Sequence, residues 1–353
     1  VDAIVLVGGQ GTRLRPLTLS APKPMLPTAG IPFLAHLLSR IQAVGIQHVI
    51  LGTSYRAEVF ADYFGDGAAL GLDIDYVYED EPLGTGGAIG NVAHLLRGER
   101  AMIFNGDVLS GCDLAALLDR HAEADADVTL HLTKVEDPRA FGCVPTDADG
   151  RVTAFLEKDP DPVTDQINAG TYVFERRVIE SIPAGRKVSV ERETFPELLA
   201  SGALVSAYVD STYWRDLGRP EDFVAGSADL VRGIAPSAVL AGRTGESLVL
   251  EGADVAADAV LLGGTTVGAG CVVGPGAVLD GSVLFDGATI APGALVTASV
   301  IGAGARVGEA AVLSDVVVGD RAVIGAGNEL LAGLRIWPDV VLPDRSIRFS
   351  ADG

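Results

Sequence analysis

The chain has 353 residues, 48% hydrophobic and only 6% aromatic, with 44 glycines and a net charge of -21 from 47 acidic against 26 basic side chains. That length allows two or three domains with a substantial core, and the acidic balance, with no basic stripe or tail, argues against a nucleic-acid partner. No apolar run reaches transmembrane length, so no membrane association is expected, and Cys112, Cys143 and Cys271 lack the number and spacing of a disulfide framework or a zinc site, which fits a reducing cytoplasm.

Residues 3–7 read as a short buried strand that ends in Gly8-Gly9 and opens a loop holding Gly11, Thr12, Arg13, Arg15 and Lys23. A glycine-rich turn after a central strand lets backbone N–H groups approach an anion, and nearby guanidinium and ammonium groups neutralise a polyphosphate. Neither GxxxxGK[ST] nor GxGxxG is present, so the loop reads as a nucleoside triphosphate site of another kind. Apolar spacing from Phe33 to Ile41 predicts an amphipathic helix over 32–45, stopped by Gly45. Strands are predicted over 48–53 and 72–78 with a short helix over 57–64 between them, an alternation that argues for a mostly parallel sheet covered on both faces.

Gly84-Thr85-Gly86-Gly87 is either a simple turn or a place where backbone approaches a ligand, with a helix predicted over 88–96. The strand predicted over 101–108 ends in Gly106-Asp107. Ligands of open sheets sit at the carboxyl ends of strands, where Asp107 is either a magnesium ligand facing the triphosphate loop or a cap of the next turn. There follow a strand over 127–135, a hairpin of 141–149 with 151–157, a strand over 171–174, a helix over 190–199 and a closing helix over 220–230 with Phe223 facing inward. Asp216 is a second carboxylate able to converge with Asp107.

From about Ile234 the helical pattern gives way to apolar–glycine units such as Val267-Gly268, Val273-Gly274, Ile301-Gly302 and Val307-Gly308, many of them six residues apart. This is the sequence form of a parallel β-helix with three repeats per coil, about four coils over 249–324. The low aromatic content suits a narrow interior of Val, Ile, Leu and Ala, and residues 337–349 are expected as a tail packed back over the prism. No histidine follows His131, so a general base for acyl transfer is lacking there. Catalysis is therefore expected in residues 1–230, and scaffolding and an oligomer surface in 231–353.

Gly8–Lys23 as GGQGTRLRPLTLSAPK, with Asn105-Gly106-Asp107, Glu157-Lys158, Asn168-Ala169-Gly170 and Trp214-Arg215-Asp216-Leu217-Gly218, resembles the sugar-nucleotide pyrophosphorylases over nearly the whole chain. Glu81–Thr85 (EPLGT) and Thr133–Pro138 (TKVEDP) resemble the branch acting on GTP and mannose 1-phosphate. The resemblance implies a Rossmann-like α/β nucleotidyltransferase domain with a mixed sheet, then a left-handed parallel β-helix of hexapeptide repeats. It implies transfer of GMP from GTP to mannose 1-phosphate with Mg²⁺ as cofactor, and the cysteine pattern and the prism surface add the expectation of a cytoplasmic homo-oligomer assembled through the β-helix. By the same resemblance Leu6, Gly8, Gly9, Gly11, Thr12, Arg13, Glu79, Gly84 and Thr85 bind nucleotide, with Gly86 beside them. Arg13, Lys23 and Asp107 are catalytic, Asp107 and Asp216 hold the metal, and Gly142, Glu157, Lys158, Asn168 and Gly170 bind the sugar phosphate.

Asp159 stands where the family usually has proline, adding a negative charge beside Lys158. Glu79 matches a position where relatives using pyrimidine nucleotides present glutamine. An ionised carboxylate only accepts hydrogen bonds, which suits the adjacent N1–H and 2-amino group of guanine; in a solvent-exposed acidic loop, Glu79 would decide nothing. The competing readings are the same transfer between glucose 1-phosphate and dTTP or UTP, a non-catalytic regulatory subunit that binds sugar nucleotide, and a bifunctional enzyme with an acyltransferase β-helix.

Overall fold

The computed structural model describes residues 1–53, 56, 58–156, 158 and 160–348. They form two compact units that cut across chain order: Val1–Gly9 with Leu37–Trp214, and Gln10–His36 with the chain from Arg215 onward.

The first unit is built on a seven-stranded sheet in the order Val205–Asp210, Val128–Lys134, Gln166–Glu175, Arg100–Asn105, Asp2–Leu6, His48–Thr53, Asp73–Tyr78. Gln166–Glu175 runs antiparallel to both neighbours and every other pairing is parallel, so the sheet is mixed, as expected. Ala3, Ile4 and Val5 are fully buried, the continuous apolar run of a strand covered on both faces. One face packs Ile4, Ile103, Leu130, Tyr172 and Phe174 against Ile89, Ile179 and Phe195. The register aligns the carboxyl ends, with Leu6 opposite both Gly52 and Asn105, and Thr53 opposite Tyr78.

Four elements of this unit depart from expectation. The strand predicted over 101–108 stops at Asn105, with Val108–Ser110 a separate short strand. The helix predicted over 88–96 begins at Gly84 and ends at Asn91. Glycine disfavours helix by about 1 kcal/mol per residue, but here a close backbone approach outweighs propensity. A Cβ on Gly87 would lie 2.5 Å from the Arg186 carbonyl oxygen, and one on Gly90 2.8 Å from that of Ile182. The helix over 190–199 is a π-helical turn, Val190–Thr194, followed by Phe195–Ala200. Pro196 has no N–H for the Arg192 carbonyl and its ring crowds that group, which favours a widened turn just before it. Strand 171–174 extends to Gln166–Glu175, its pairing shifting register between Leu130 and Leu132. The expected hairpin is present as antiparallel bridges, Cys143 with Leu156 and Thr146 with Val152, around a turn in which the Asp147 carboxylate accepts from the Asp149 and Arg151 amides.

The second unit contains the left-handed parallel β-helix, with two six-stranded faces and one of five strands. Equivalent residues of successive coils are 17 or 18 positions apart. The interior is Val, Ile, Leu and Ala, with Cys271 among them. Thr265, Ser282 and Ser299 form an internal ladder, each hydroxyl oxygen accepting an amide of the next coil, from Ser282, Ser299 and Val316. Coiling reaches further than expected: strands run from Ser247 to Leu342, and Val341–Leu342 pairs with Val323–Ile324 where a returning tail was predicted. The last repeats carry Trp337-Pro338 and Pro343-Asp344 in place of the apolar–glycine signal, and so hide their period. Residues 349–353 lie outside the described part.

Residues 10–36 belong to this unit. Leu14, Leu17 and Leu26 are buried with Phe223 and Val224 of helix Pro220–Arg232 against Val283, Phe285, Val300 and Val317. Phe223 does face inward, toward this cluster. His36 completes the attachment, its Nδ1 2.7 Å from Ser237 Oγ and its Nε2 2.9 Å from the Thr28 carbonyl. Among the described residues no helix is long and apolar enough to cross a membrane.

Candidate active site

The aligned carboxyl ends of the first unit open into a cavity of about 230 Å³ lined by Leu6, Gly8, Gly9, Gly52, Glu79, Pro82, Gly84, Thr85 and Ala88. Six of the nine expected nucleotide-binding residues thus meet on one wall system; Gly11, Thr12 and Arg13 fall in the second unit. Glu79 is 8% exposed whereas Asp80 and Glu81 are exposed, so the acidic-loop reading holds for those two and fails for Glu79. Its Oε2 accepts the Leu83 amide at 3.1 Å. Burial raises its carboxyl above the usual range, and that hydrogen bond partly offsets the rise. Thr85 Oγ1 accepts from the Val190 amide and donates to Glu191 Oε2 at 3.0 Å. Gly86 does not reach the cavity; its N–H is spent on the Val188 carbonyl at 2.9 Å.

Asp107 follows strand Arg100–Asn105 in a turn pinned by the Gly106 amide, which donates to the Leu6 carbonyl at 3.0 Å. That bond sets a half-buried carboxylate at the strand ends from which Gly8 and Gly9 also emerge.

A second cavity, about 450 Å³, is lined by residues that include Asn105, Phe141, Gly142, Phe155, Asn168, Glu191 and Arg192. It brings together Gly142 and Asn168 of the expected sugar site. The Asn168 amide is fixed from both ends: Nδ2 donates to Tyr172 Oη at 2.8 Å and Oδ1 accepts the Gly170 amide at 3.0 Å. Gly170 acts by omission, because a Cβ there would lie 2.8 Å from Asn105 Nδ2. Lys158 is exposed, and Glu157 and Asp159 lie outside the described residues. Glu191 and Arg192 were not anticipated, since reading 190–199 as one regular helix hides the π turn that carries them. Glu191 bonds both Thr85 and Ser189, and so ties the wall of the first cavity to that of the second.

The second unit holds its own cluster. Arg13 sits in the turn Thr12–Leu14, exposed beside buried Leu14. Lys23 Nζ lies 3.8 Å from Asp216 Oδ1, the lysine side chain 12% exposed and the aspartate 33%. Gly218 makes room for Arg13: a Cβ there would stand 2.7 Å from Arg13 Nη2 and 2.9 Å from Asp216 Oδ1. Arg13, Lys23 and Asp216, distant in sequence, therefore form one group of two cations and one carboxylate. Arg215 is engaged elsewhere, 3.3 Å from both Asp222 and Asp229.

In the first unit buried Cys112 and His131 and half-buried Asp210 also come together. His131 Nε2 makes an ordinary 2.9 Å hydrogen bond to Asp210, and burial pushes the Cys112 thiol up to about 12, away from the thiolate that ligates metals.

The sequence profile of the family described as Nucleotidyl transferase matches residues 2–233, and that of the GMPPB C-terminal domain matches residues 243–352. Mannose-1-phosphate guanylyltransferase of Mycobacterium tuberculosis is 66% identical over 353 residues, covering 100% of this chain and 98% of that protein. Mannose-1-phosphate guanylyltransferase 1 of Arabidopsis thaliana is 35% identical, over 78% of this chain and 75% of that one. Among solved structures, HddC from Yersinia pseudotuberculosis complexed with GMP-PN is 31% identical with a TM-score of 0.57, over 65% of this chain and 99% of that one.

Proposed function

The chain belongs to the mannose-1-phosphate guanylyltransferases of the nucleotidyl transferase family, and from that premise we propose how its residues divide the reaction. It transfers GMP from GTP to mannose 1-phosphate, giving GDP-mannose and pyrophosphate. The observation that carries this is the 66% identity to the Mycobacterium tuberculosis protein across essentially both full chains.

A phosphate oxygen of mannose 1-phosphate attacks the α-phosphorus of GTP in line, and the bond from that phosphorus to the bridging oxygen breaks as pyrophosphate departs. The nucleophile is already ionised, so positioning and charge neutralisation supply the rate enhancement in place of a strong base. Leu6, Gly8, Gly9, Gly84 and Thr85 are assigned to the nucleotide, supported by their shared cavity, and Glu79 to the guanine edge. Gly11 and Thr12 join them through the family motif. Arg13 and Lys23 are assigned to the triphosphate charge, Arg13 as the principal catalytic cation. Gly142, Asn168 and Gly170, with Glu157 and Lys158 from the motif, are assigned to the sugar phosphate.

Family members typically use a divalent metal, and we assign Mg²⁺ to Asp107 and Asp216. The donor chemistry fits: both are half-buried carboxylates, the hard oxygen ligands that Mg²⁺ takes alongside substrate phosphates. When bound, the ion supplies charge neutralisation at the α-phosphate and alignment of the displacement.

The catalytic part is assigned to residues 1–230 and the β-helix to 231–353, in a cytoplasmic homo-oligomer. The outward column Val260, Val278, Leu295 and Val312 on one prism face supports assembly there, with Val260 41% and Leu295 43% exposed. Purified chain alone, given GTP, mannose 1-phosphate and Mg²⁺, should release pyrophosphate and accumulate GDP-mannose. Binding of GDP-mannose without turnover would instead favour a regulatory subunit.

A further inference from the structure

The β-helix contains no histidine, yet one of its faces is occupied by the loop that carries Arg13. On that face successive coils stack Val283, Val300, Val317 and Arg335 in register. Their neighbours Leu284, Ile301, Val318 and Ile336 fill the prism interior. Adjacent residues of a strand point to opposite faces, so the column Val283–Val300–Val317–Arg335 points outward. Its three valines are nonetheless buried, at 1%, 0% and 4% exposure, in one cluster with Leu14, Leu17 and Leu26 of the loop and Phe223 and Val224 of helix Pro220–Arg232. Where the fourth valine would continue the column, the chain has arginine. Its Nη1 donates to the Arg13 carbonyl at 2.7 Å and to the Arg15 carbonyl at 2.9 Å.

We propose that Arg335 is a positioning residue for guanylyl transfer: from the β-helix it holds the backbone on both sides of Leu14 and so fixes where Arg13 presents its guanidinium. The three valines set the height of the loop over the prism. They cannot set its rotation, because apolar contact is non-directional. A single guanidinium nitrogen shared by two carbonyls two residues apart does set it, and charged donors make the stronger hydrogen bonds. Leu14, buried at 0% exposure between the two bonded carbonyls, is the pivot, and Arg13 is thrown to the exposed side. The β-helix thereby contributes to the chemistry without touching substrate. The inference rests on the assignment of Arg13 as the catalytic cation.

The experiment compares intact wild type, Arg335→Met, Arg335→Lys and Arg13→Ala, measuring kcat, KM for both substrates, thermal melting, and amide hydrogen exchange over residues 10–20. Arg13→Ala should lower kcat by about 100-fold or more, the scale for removing a transition-state charge partner. Arg335→Met should lower kcat about tenfold with KM for mannose 1-phosphate within twofold, since a misplacement far from the chemistry costs rate before affinity. Its melting should match wild type, exchange should quicken in residues 12–16, and peptides of 272–324 should be unchanged. Arg335→Lys, which keeps a donor, should recover most of the loss. Unchanged kcat and unchanged loop exchange in Arg335→Met, with Arg13→Ala impaired, would overturn the positioning role alone. Wild-type kcat in Arg13→Ala would overturn the reading of Arg13 itself. If Arg335→Met melts early, Arg335→Lys with normal melting and wild-type loop exchange still supports the anchor, and the same variant with loosened prism peptides overturns it.

Discussion

The sheet of the first unit and the prism of the second solve the burial problem differently. The sheet's core is filled by a few large side chains, Tyr172, Phe174 and Phe195 among them, with Phe155 stacked on Phe195 at 4.5 Å between ring centroids. The prism interior repeats small aliphatic residues from coil to coil, and among the described residues its core cluster holds no aromatic. The difference bears on function. A mixed sheet has carboxyl ends from which loops diverge, so Leu6, Gly52, Glu79 and Asn105 can face cavities. A β-helix has no such ends along its length; it offers flat walls of fixed spacing. The first unit is shaped to enclose cavities and the second to present a straight edge, and that edge packs with the loop 10–36.

The sharpest way to break this comparison is to remove the carboxylate at the sheet's end. Asp107→Asn should lower kcat by about 100-fold or more while both KM values stay within a few-fold, because the lost interaction is made mainly in the transition state. Near-normal turnover at saturating Mg²⁺ would contradict the metal assignment.

A deletion inside the prism should do the converse. Leu313→Ala removes a side chain 1% exposed in the interior and should cost about 2–5 kcal/mol of stability, seen as a lower denaturation midpoint. At a temperature where the variant is folded, its kcat should stay within about twofold. A large kcat loss there would show that the prism interior reaches further into the chemistry than its face does.

The attachment of residues 10–36 should depend on pH. Burial depresses His36 from 6.5 to about 4, and the Thr28 carbonyl offsets this only partly. The folded state therefore keeps the imidazole neutral where the unfolded chain would protonate it. Its contribution is complete above pH 6.5 and is lost as pH falls from 6.5 toward 4, on the order of 3 kcal/mol at most. His36→Gln should flatten that part of the stability profile in urea titrations; an unaltered slope would contradict the assignment.

The smallest expected effect is on base choice. Glu79→Gln should narrow the preference for GTP over UTP by about tenfold in kcat/KM, one hydrogen-bonded contact's worth. Burial raises the Glu79 carboxyl, so wild-type discrimination should begin to weaken above the usual carboxylate range as pH is lowered, the protonated acid having lost an acceptor. A ratio unchanged by both treatments would move guanine recognition elsewhere.

Much of this was legible in the chain because the physics is local. The Val-Gly repeats announce a β-helix, and a continuous apolar run ending in paired glycines announces a central strand with a loop at its carboxyl end. Asp107 could be placed because strand ends are functional places in α/β sheets. What escaped depends on contacts between distant segments. Glycine propensity argues against a helix starting at Gly84, and only the backbone of 186–188 explains it. Glu191 and Arg192 are turned toward a cavity by a π turn ahead of Pro196 that no periodicity reveals. Arg335 looks like any surface arginine until its column of buried valines is seen beneath the loop it holds.

The central claim is that these cavities serve GTP and mannose 1-phosphate. It is tested most directly by initial rates of pyrophosphate release from the purified intact chain with GTP, ATP, UTP and dTTP, each paired with mannose 1-phosphate and glucose 1-phosphate. The account predicts the highest kcat/KM for GTP with mannose 1-phosphate, with GDP-mannose as product. Faster turnover of dTTP or UTP with glucose 1-phosphate would contradict it.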